Sequence, residues 1–152
     1  MKKLGTIIVL SGPSGVGKST LVGRVRRAMP ELEFSISCTT RKPRPGEQHG
    51  VHYYFLEREE FERRVARGEF IEHAGVFANC YGTLKSEVLD RIRRGSPVVL
   101  DIDVQGAKQI RAAAKHDPEL ARSTVFLSAE RRTLTDVPRV AMSMALRMAY
   151  LM

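Results

Sequence analysis

A chain of 152 residues, 43% apolar and 28% charged, has the size and balance of one soluble domain with a core of its own, which excludes fibrous and disordered classes. Its formal charge of +8 suits phosphorylated ligands, and with no recognisable nucleic-acid module beside that charge, nucleic acid is not an expected partner. Two cysteines, Cys38 and Cys80, are too few for a zinc cluster and read as free thiols of a reducing, cytoplasmic compartment; no stretch is long enough to span a membrane, and the short N-terminal apolar run leads into a glycine loop instead of a cleavage site.

Residues 7–10 (IIVL) form a short β-branched apolar run suited to a buried parallel strand. Residues 12–20 (GPSGVGKST) follow, and a helical pattern runs from Thr20 towards Met29 and Pro30. The spacing of Gly12, Gly17, Lys18 and Ser19 fits a phosphate-cradling loop at every required position. Gly12, Gly15 and Gly17 free backbone N–H groups to converge on phosphate oxygens, and the helix N-terminus adds partial positive charge. Lys18 is placed to reach the outer phosphates of a nucleoside triphosphate, and the Ser19 hydroxyl to ligate Mg²⁺. Pro13, Ser14, Val16 and Thr20 complete the expected ATP-binding segment.

Residues 34–38 alternate as a strand, leading into residues 39–47 (TTRKPRPGE), whose prolines and glycine exclude a helix interior. Arg41 and Arg44 there either grip a phosphate with planar guanidinium groups or belong to a solvated basic turn. Residues 50–55, with Tyr53 and Tyr54, read as a further strand. A helix is expected over residues 57–67, with Glu59/Arg63 and Glu60/Arg64 as i,i+4 pairs and Gly68 closing it. Residues 79–83 read as a turn before a second helix that buries Val88, Leu89 and Ile92, pairs Glu87 with Arg91 and Asp90 with Arg94, and stops at Gly95; Thr83 could be its N-cap.

Residues 97–103 (PVVLDID) are an apolar run ending in carboxylates, as buried parallel strands end at a ligand edge. A helix over 106–116, a break at Asp117 and Pro118, and a strand over 123–127 complete the pattern. Strands alternating with helices imply an α/β fold with a parallel sheet and flanking helices. The four histidines lack metal-ligand spacing.

Residues 12–20, 35–47 (SISCTTRKPRPGE), 50–55 (GVHYYF), 69–72 (EFIE), 81–83 (YGT) and 100–106 (LDIDVQG), in that order, resemble the guanylate kinases, P-loop enzymes that move the terminal phosphate of ATP onto GMP. The resemblance implies a core over residues 1–34 and 96–127, with a GMP-binding lobe inserted over about 35–95. It implies that Ser37, Arg41, Arg44, Tyr53 and Tyr81 hold the GMP phosphate, that Glu72, Thr83 and Asp103 read guanine, and that Glu47 supports the loop. Asp101 would organise the cationic centre with Lys18, Arg41 and Arg44. ATP, GMP or dGMP, and Mg²⁺ are the ligands so implied, with a monomer or weak homo-oligomer expected and lobe closure over both nucleotides. A carboxylate at position 72 can accept guanine N1–H and N2–H together, a pair adenine lacks. The alternative from another class is a catalytically impaired guanylate-kinase-like binding module; a kinase for another nucleoside monophosphate is a further rival.

Residues 128–152 depart from the family's pattern. Arg131 and Arg132 lie where lid residues begin but do not match their spacing, so neither takes a role. Residues 139–152 are apolar on nearly all faces, and the expectation is a chain that binds GMP, turns over slowly and tends to associate.

Overall fold

The structure, a computed structural model, describes residues 4–12 and 17–128. The expected loop residues 13–16 and the divergent residues 129–152, including Arg131 and Arg132, lie outside the described residues.

The run at residues 7–10 is almost wholly screened from solvent, which explains why it shows no polar alternation: a central parallel strand has protein on both faces. Strand β1 (Ile7–Ser11) is flanked by β7 (Val98–Ile102) and β8 (Thr124–Ser128), both parallel to it. The short β2 (Glu33–Phe34) adds to the far side of β7, giving the order β2-β7-β1-β8. Strand periodicity then sorts the side chains between two faces. Ile8, Leu10 and Val99 pack with Leu21, Val22 and Val25 of α1 (Lys18–Ala28). Ile7, Val9, Val98 and Leu100 pack on the other face with Val88 and Ile92 of α3 (Lys85–Arg93), Ala107 and Ile110 of α4 (Val104–Ala114) and Leu120 of α5 (Pro118–Ser123). Each such aliphatic side chain contributes roughly 1.5–3 kcal/mol by leaving water. Although it falls within the stretch expected to form the lobe, α3 therefore buries its apolar stripe against the first sheet.

The approach to β1 is tight. Gly5 N–H donates to Ile92 O at 2.7 Å, and a Cβ at position 5 would lie 2.1 Å from the backbone oxygen of Ser96. Backbone cannot swing aside as a side chain tip can, so Gly5→Ala is expected to destabilise the chain by about 1–3 kcal/mol, read as a lower urea midpoint at unchanged slope.

The second sheet has the order β4-β3-β6-β5, with β3 at Cys38–Thr39, β4 at Tyr54–Phe55, β5 at Phe70–Val76 and β6 at Asn79–Leu84. Helix α2 (Arg58–Ala66) covers it, stacking Phe61 on Phe70 with ring centroids 4.5 Å apart. Several expectations are corrected here. The strand expected over 34–38 is split between two sheets: Ser35 N–H still bonds Val99 O in the first, while Ser37 O accepts Tyr54 N–H in the second. Only Tyr54 and Phe55 of residues 50–55 form the named strand, because Val51 and His52 N–H groups both turn back to Gln48 O. Residues 79–83 belong to β6 instead of a turn; the reversal lies earlier, at Phe77 and Ala78, with Val76 facing Asn79 in register. Gly82 had suggested a turn, but a Cβ there would meet the Phe70 ring at 2.8 Å, so its smallness serves packing between strands. Consequently Thr83 does not cap α3, whose N-cap is Leu84. On α2, Glu60 takes both Arg63 and Arg64, at 2.8 and 2.7 Å. The helix expected over 106–116 runs instead over Val104–Ala114, with Lys115 as its C-cap, and Asp117 caps the next one, accepting from Glu119 and Leu120 N–H ahead of α5.

Candidate active site

Strands β1 and β7 end side by side, with Leu10 opposite Asp101, and a parallel sheet binds ligands at that carboxyl edge. Gly12, buried, follows β1; Gly17, with φ 84°, turns the chain into α1 in a conformation natural only to glycine. One step later Lys18 Nζ lies 3.0 Å from Asp101 Oδ1 and donates to Ile102 O at 2.6 Å. Ser19 and Thr20 are exposed on the same first turn. Lys18 and Asp101 thus form a paired charge at the sheet edge, next to the exposed Ser19.

A cleft of about 300 Å³ separates the two sheets. Lys18, Asp101 and Asp103 line one side, and Ser37, Tyr53, Glu72 and Tyr81 the other. Seven residues singled out in the sequence, spread over 86 positions of chain from Lys18 to Asp103, therefore share one cavity. Tyr53 and Tyr81 meet edge to face at 6.2 Å.

Glu72 is the chemically unusual member. Its side chain is 6% exposed on a strand beside the cleft. Burial pushes its carboxyl above the ordinary carboxylate range; the Thr83 hydrogen bond pulls the other way, while the charge of Asp103 adds to the rise. Thr83, fully buried behind it, donates its hydroxyl to Glu72 Oε1 at 2.7 Å. The resemblance makes Thr83 a reader of guanine, yet in this structure its hydroxyl proton is spent on Glu72. Thr83 has one O–H to give and a carboxylate has about four lone-pair sites, so Glu72 keeps acceptor capacity for a ligand bearing adjacent N–H groups.

The basic loop lies beside the cleft, and its arrangement is set by Glu47. Arg41 donates through Nη1 and Nη2 to the two Glu47 oxygens, each at 2.9 Å, and Arg44 N–H donates to Glu47 Oε2 at 2.7 Å. These bonds lower the Glu47 carboxyl to about 2, the Arg41 contact contributing most. The staple therefore holds at all pH values above the ordinary carboxylate range and is lost only as the pH falls towards 2. Arg41 also donates to Lys42 O at 2.9 Å and lies over the Tyr53 ring at 5.4 Å. Arg44 is exposed. Asp103 caps α4, accepting Gly106 N–H at 2.7 Å.

Two contributors were not legible as such: Gln109 carried no signal in the sequence, and Glu87 only its expected pair with Arg91, at 2.6 Å. Gln109 on α4 bonds both backbone groups of His73, next to Glu72. Glu87 on α3 accepts Ile36 N–H at 3.1 Å, the Tyr54 hydroxyl at 3.3 Å and Arg91, and so holds the crossing between the sheets. Both look like ordinary helix-surface residues until the second sheet is in place.

A family model described as guanylate kinase matches residues 4–141, past residue 127, after which the sequence reads as departing from the family's pattern. Guanylate kinase from Streptomyces kasugaensis is 58% identical over 105 residues, 69% of this chain and 51% of the relative. Guanylate kinase from Koribacter versatilis is 55% identical over 107 residues, 70% of this chain and 46% of the relative. The chain spans about half the length of these curated relatives. The crystal structure of guanylate kinase from Anaplasma phagocytophilum superposes with a TM-score of 0.62 at 33% identity, covering 94% of this chain and 73% of that one. With the phosphate-loop strand and helix, the two-sheet cleft and the acidic strand end all inside the matched segment, the chain belongs to the guanylate kinase family.

Proposed function

We propose that this protein transfers the terminal phosphate of ATP to GMP or dGMP, yielding ADP and GDP or dGDP. The observation that carries the reading is Glu72: a buried carboxylate with spare acceptor capacity, across one cleft from the Lys18–Asp101 pair. Glu72 accepts guanine N1–H and N2–H, with Asp103 as the second base-side carboxylate and Thr83 holding Glu72 in place. Ser37, Tyr53 and Tyr81, with Arg41 and Arg44, take the GMP phosphate. Residues 12–20 cradle ATP. Transfer between two bound phosphates needs placement and charge neutralisation more than covalent help, and Lys18 with the two arginines supplies the charge.

Among the described residues no group of three or more His, Cys, Asp and Glu is arranged to hold a metal ion. The oxygen donors of Ser19 and Asp101 still fit Mg²⁺, which keeps several waters and binds through few protein ligands plus substrate phosphates. When bound, Mg²⁺ would neutralise phosphate charge. Cys38 and Cys80 are free, and no helix among the described residues is long and apolar enough to cross a membrane; a cytoplasmic monomer or weak homo-oligomer, acting without nucleic acid, suits this chemistry.

A coupled assay with ATP, Mg²⁺ and each of GMP, dGMP, AMP, CMP and UMP tests the proposal. ADP release is expected with GMP and dGMP, and preference for AMP would sink the guanine assignment. Arg41→Lys and Arg44→Lys keep charge but lose the planar fork, so each should weaken GMP more than guanosine, by roughly 1–3 kcal/mol in calorimetric titration. Equal weakening of both ligands would assign the arginine to loop structure alone.

A further inference from the structure

We propose that one turn of α4, through Gly106 and Gln109, positions Glu72 and thereby sets selectivity for a purine bearing a 2-amino group. The inference rests on the reading of Glu72 as the group that accepts from the base.

Strand β5 is the edge of its sheet, so the outward backbone groups of alternate residues have no strand to bond. The Gln109 amide takes that place at His73: His73 N–H donates to Gln109 Oε1 at 3.0 Å, and Gln109 Nε2 donates to His73 O at 2.7 Å. A primary amide has the donor and acceptor of a peptide group side by side, so one side chain acts as a one-residue strand. The pairing falls immediately after Glu72, next to the register shift between Phe70 and Glu72 in the β5–β6 ladder. A strand whose ladder is irregular at that point gains a fixed register from the clamp.

The carboxylate itself meets α4 three residues earlier. A Cβ at position 106 would lie 2.6 Å from Glu72 Oε2 and 3.1 Å from its Cδ. Positions 106 and 109 share a helix face, so the same face that pins the backbone after Glu72 leaves the space its carboxylate fills. Thr83 holds the other oxygen, Oε1. Meanwhile α4 is anchored to the first sheet by Ala107 and Ile110 and carries Asp103 as its N-cap. The helix therefore transmits the position of the phosphate-side sheet to the base-side carboxylate. A shift of a fraction of an ångström at Glu72 weakens the interaction that distinguishes guanine from hypoxanthine, which has N1–H but no 2-amino group.

The test compares GMP with inosine monophosphate by calorimetric titration on the full chain, in the parent, Gln109→Met, Gly106→Ala and Lys108→Ala. Met keeps the length of Gln without its amide; Ala is a better helix former than Gly, so the second change does not act by weakening α4. Both should reduce the GMP preference by about tenfold or more, since selectivity of a hydrogen-bonding site depends on its geometry. Guanosine and GMP should weaken alike, because the phosphate grip is untouched, and the exposed Lys108→Ala should match the parent. A selective parent whose preference survives both α4 substitutions within twofold, whatever their effect on thermal stability, overturns the positioning role alone. A parent that binds GMP and inosine monophosphate equally overturns the reading of Glu72, and this inference with it.

Discussion

Lys18→Ala should lower turnover by about 10²–10³-fold or more, the scale for removing one charge-stabilising donor, while leaving GMP affinity nearly unchanged. Lys18 is held by Asp101 and by the backbone oxygen of Ile102. Its side chain is 21% exposed and that of Asp101 36%, so their pairing is worth no more than about 1 kcal/mol to folding and the variant should fold. What the variant loses is a cation at the carboxyl edge of the sheet, which the triphosphate would draw from Asp101. In the proposed arrangement the GMP side has its own cations, in the loop stapled by Glu47. One coupling runs between the two sides: the Lys18 charge favours the ionised form of Glu72, so its removal raises the Glu72 carboxyl a little further. Calorimetry at several pH values separates that effect from the loss of a phosphate contact. Loss of GMP binding as complete as the loss of turnover would show that the two nucleotide sites are not separable as proposed.

The parts legible in the sequence were those written locally. An apolar run and a helical stripe identify β1 and α1 without reference to distant chain, and β7 announces itself by ending in carboxylates. Helices α2 and α3 were legible for the same reason. The second sheet was not, because its reversal at Phe77 and Ala78 uses neither Gly, Asn nor Asp, although Phe77 adopts φ 54° and is fully exposed. The same gap hid the fate of Thr83: the hydroxyl proton goes to Glu72 only because β5 and β6 pair them in register. Residues 34–38 misled by continuity, since an alternating pattern does not reveal that its two ends serve different sheets. Gln109 and Glu87 could not be read because each bonds backbone groups of segments 36 and 51 residues away, and backbone groups carry no sequence signature.

Glu72→Gln should move stability and selectivity in opposite directions. The folded chain favours the neutral form of Glu72, because burial raises its carboxyl above the unfolded value. A group so raised costs stability once the pH exceeds its unfolded range, and costs nothing below it, where it is protonated in both states. The glutamine amide removes that cost and still accepts the Thr83 hydroxyl, so the midpoint of thermal unfolding should be higher at pH 8 than in the parent. The gain should vanish as the pH falls through the ordinary carboxylate range. Binding goes the other way. Guanine N1–H and N2–H need two acceptors, and an amide supplies one acceptor beside an N–H₂ that opposes the second donor. Removing a charge-assisted hydrogen bond costs about 1.5–3 kcal/mol, so GMP should weaken by roughly 10- to 150-fold while AMP, which never had that pair of donors, changes little. The parent should also bind GMP more weakly as the pH drops through the raised Glu72 carboxyl, and the glutamine variant should show no such dependence. A glutamine variant that keeps the parent's ratio of GMP to AMP affinity would remove Glu72 from the base site, and a parent flat in pH would show that its ionised form is not what GMP requires.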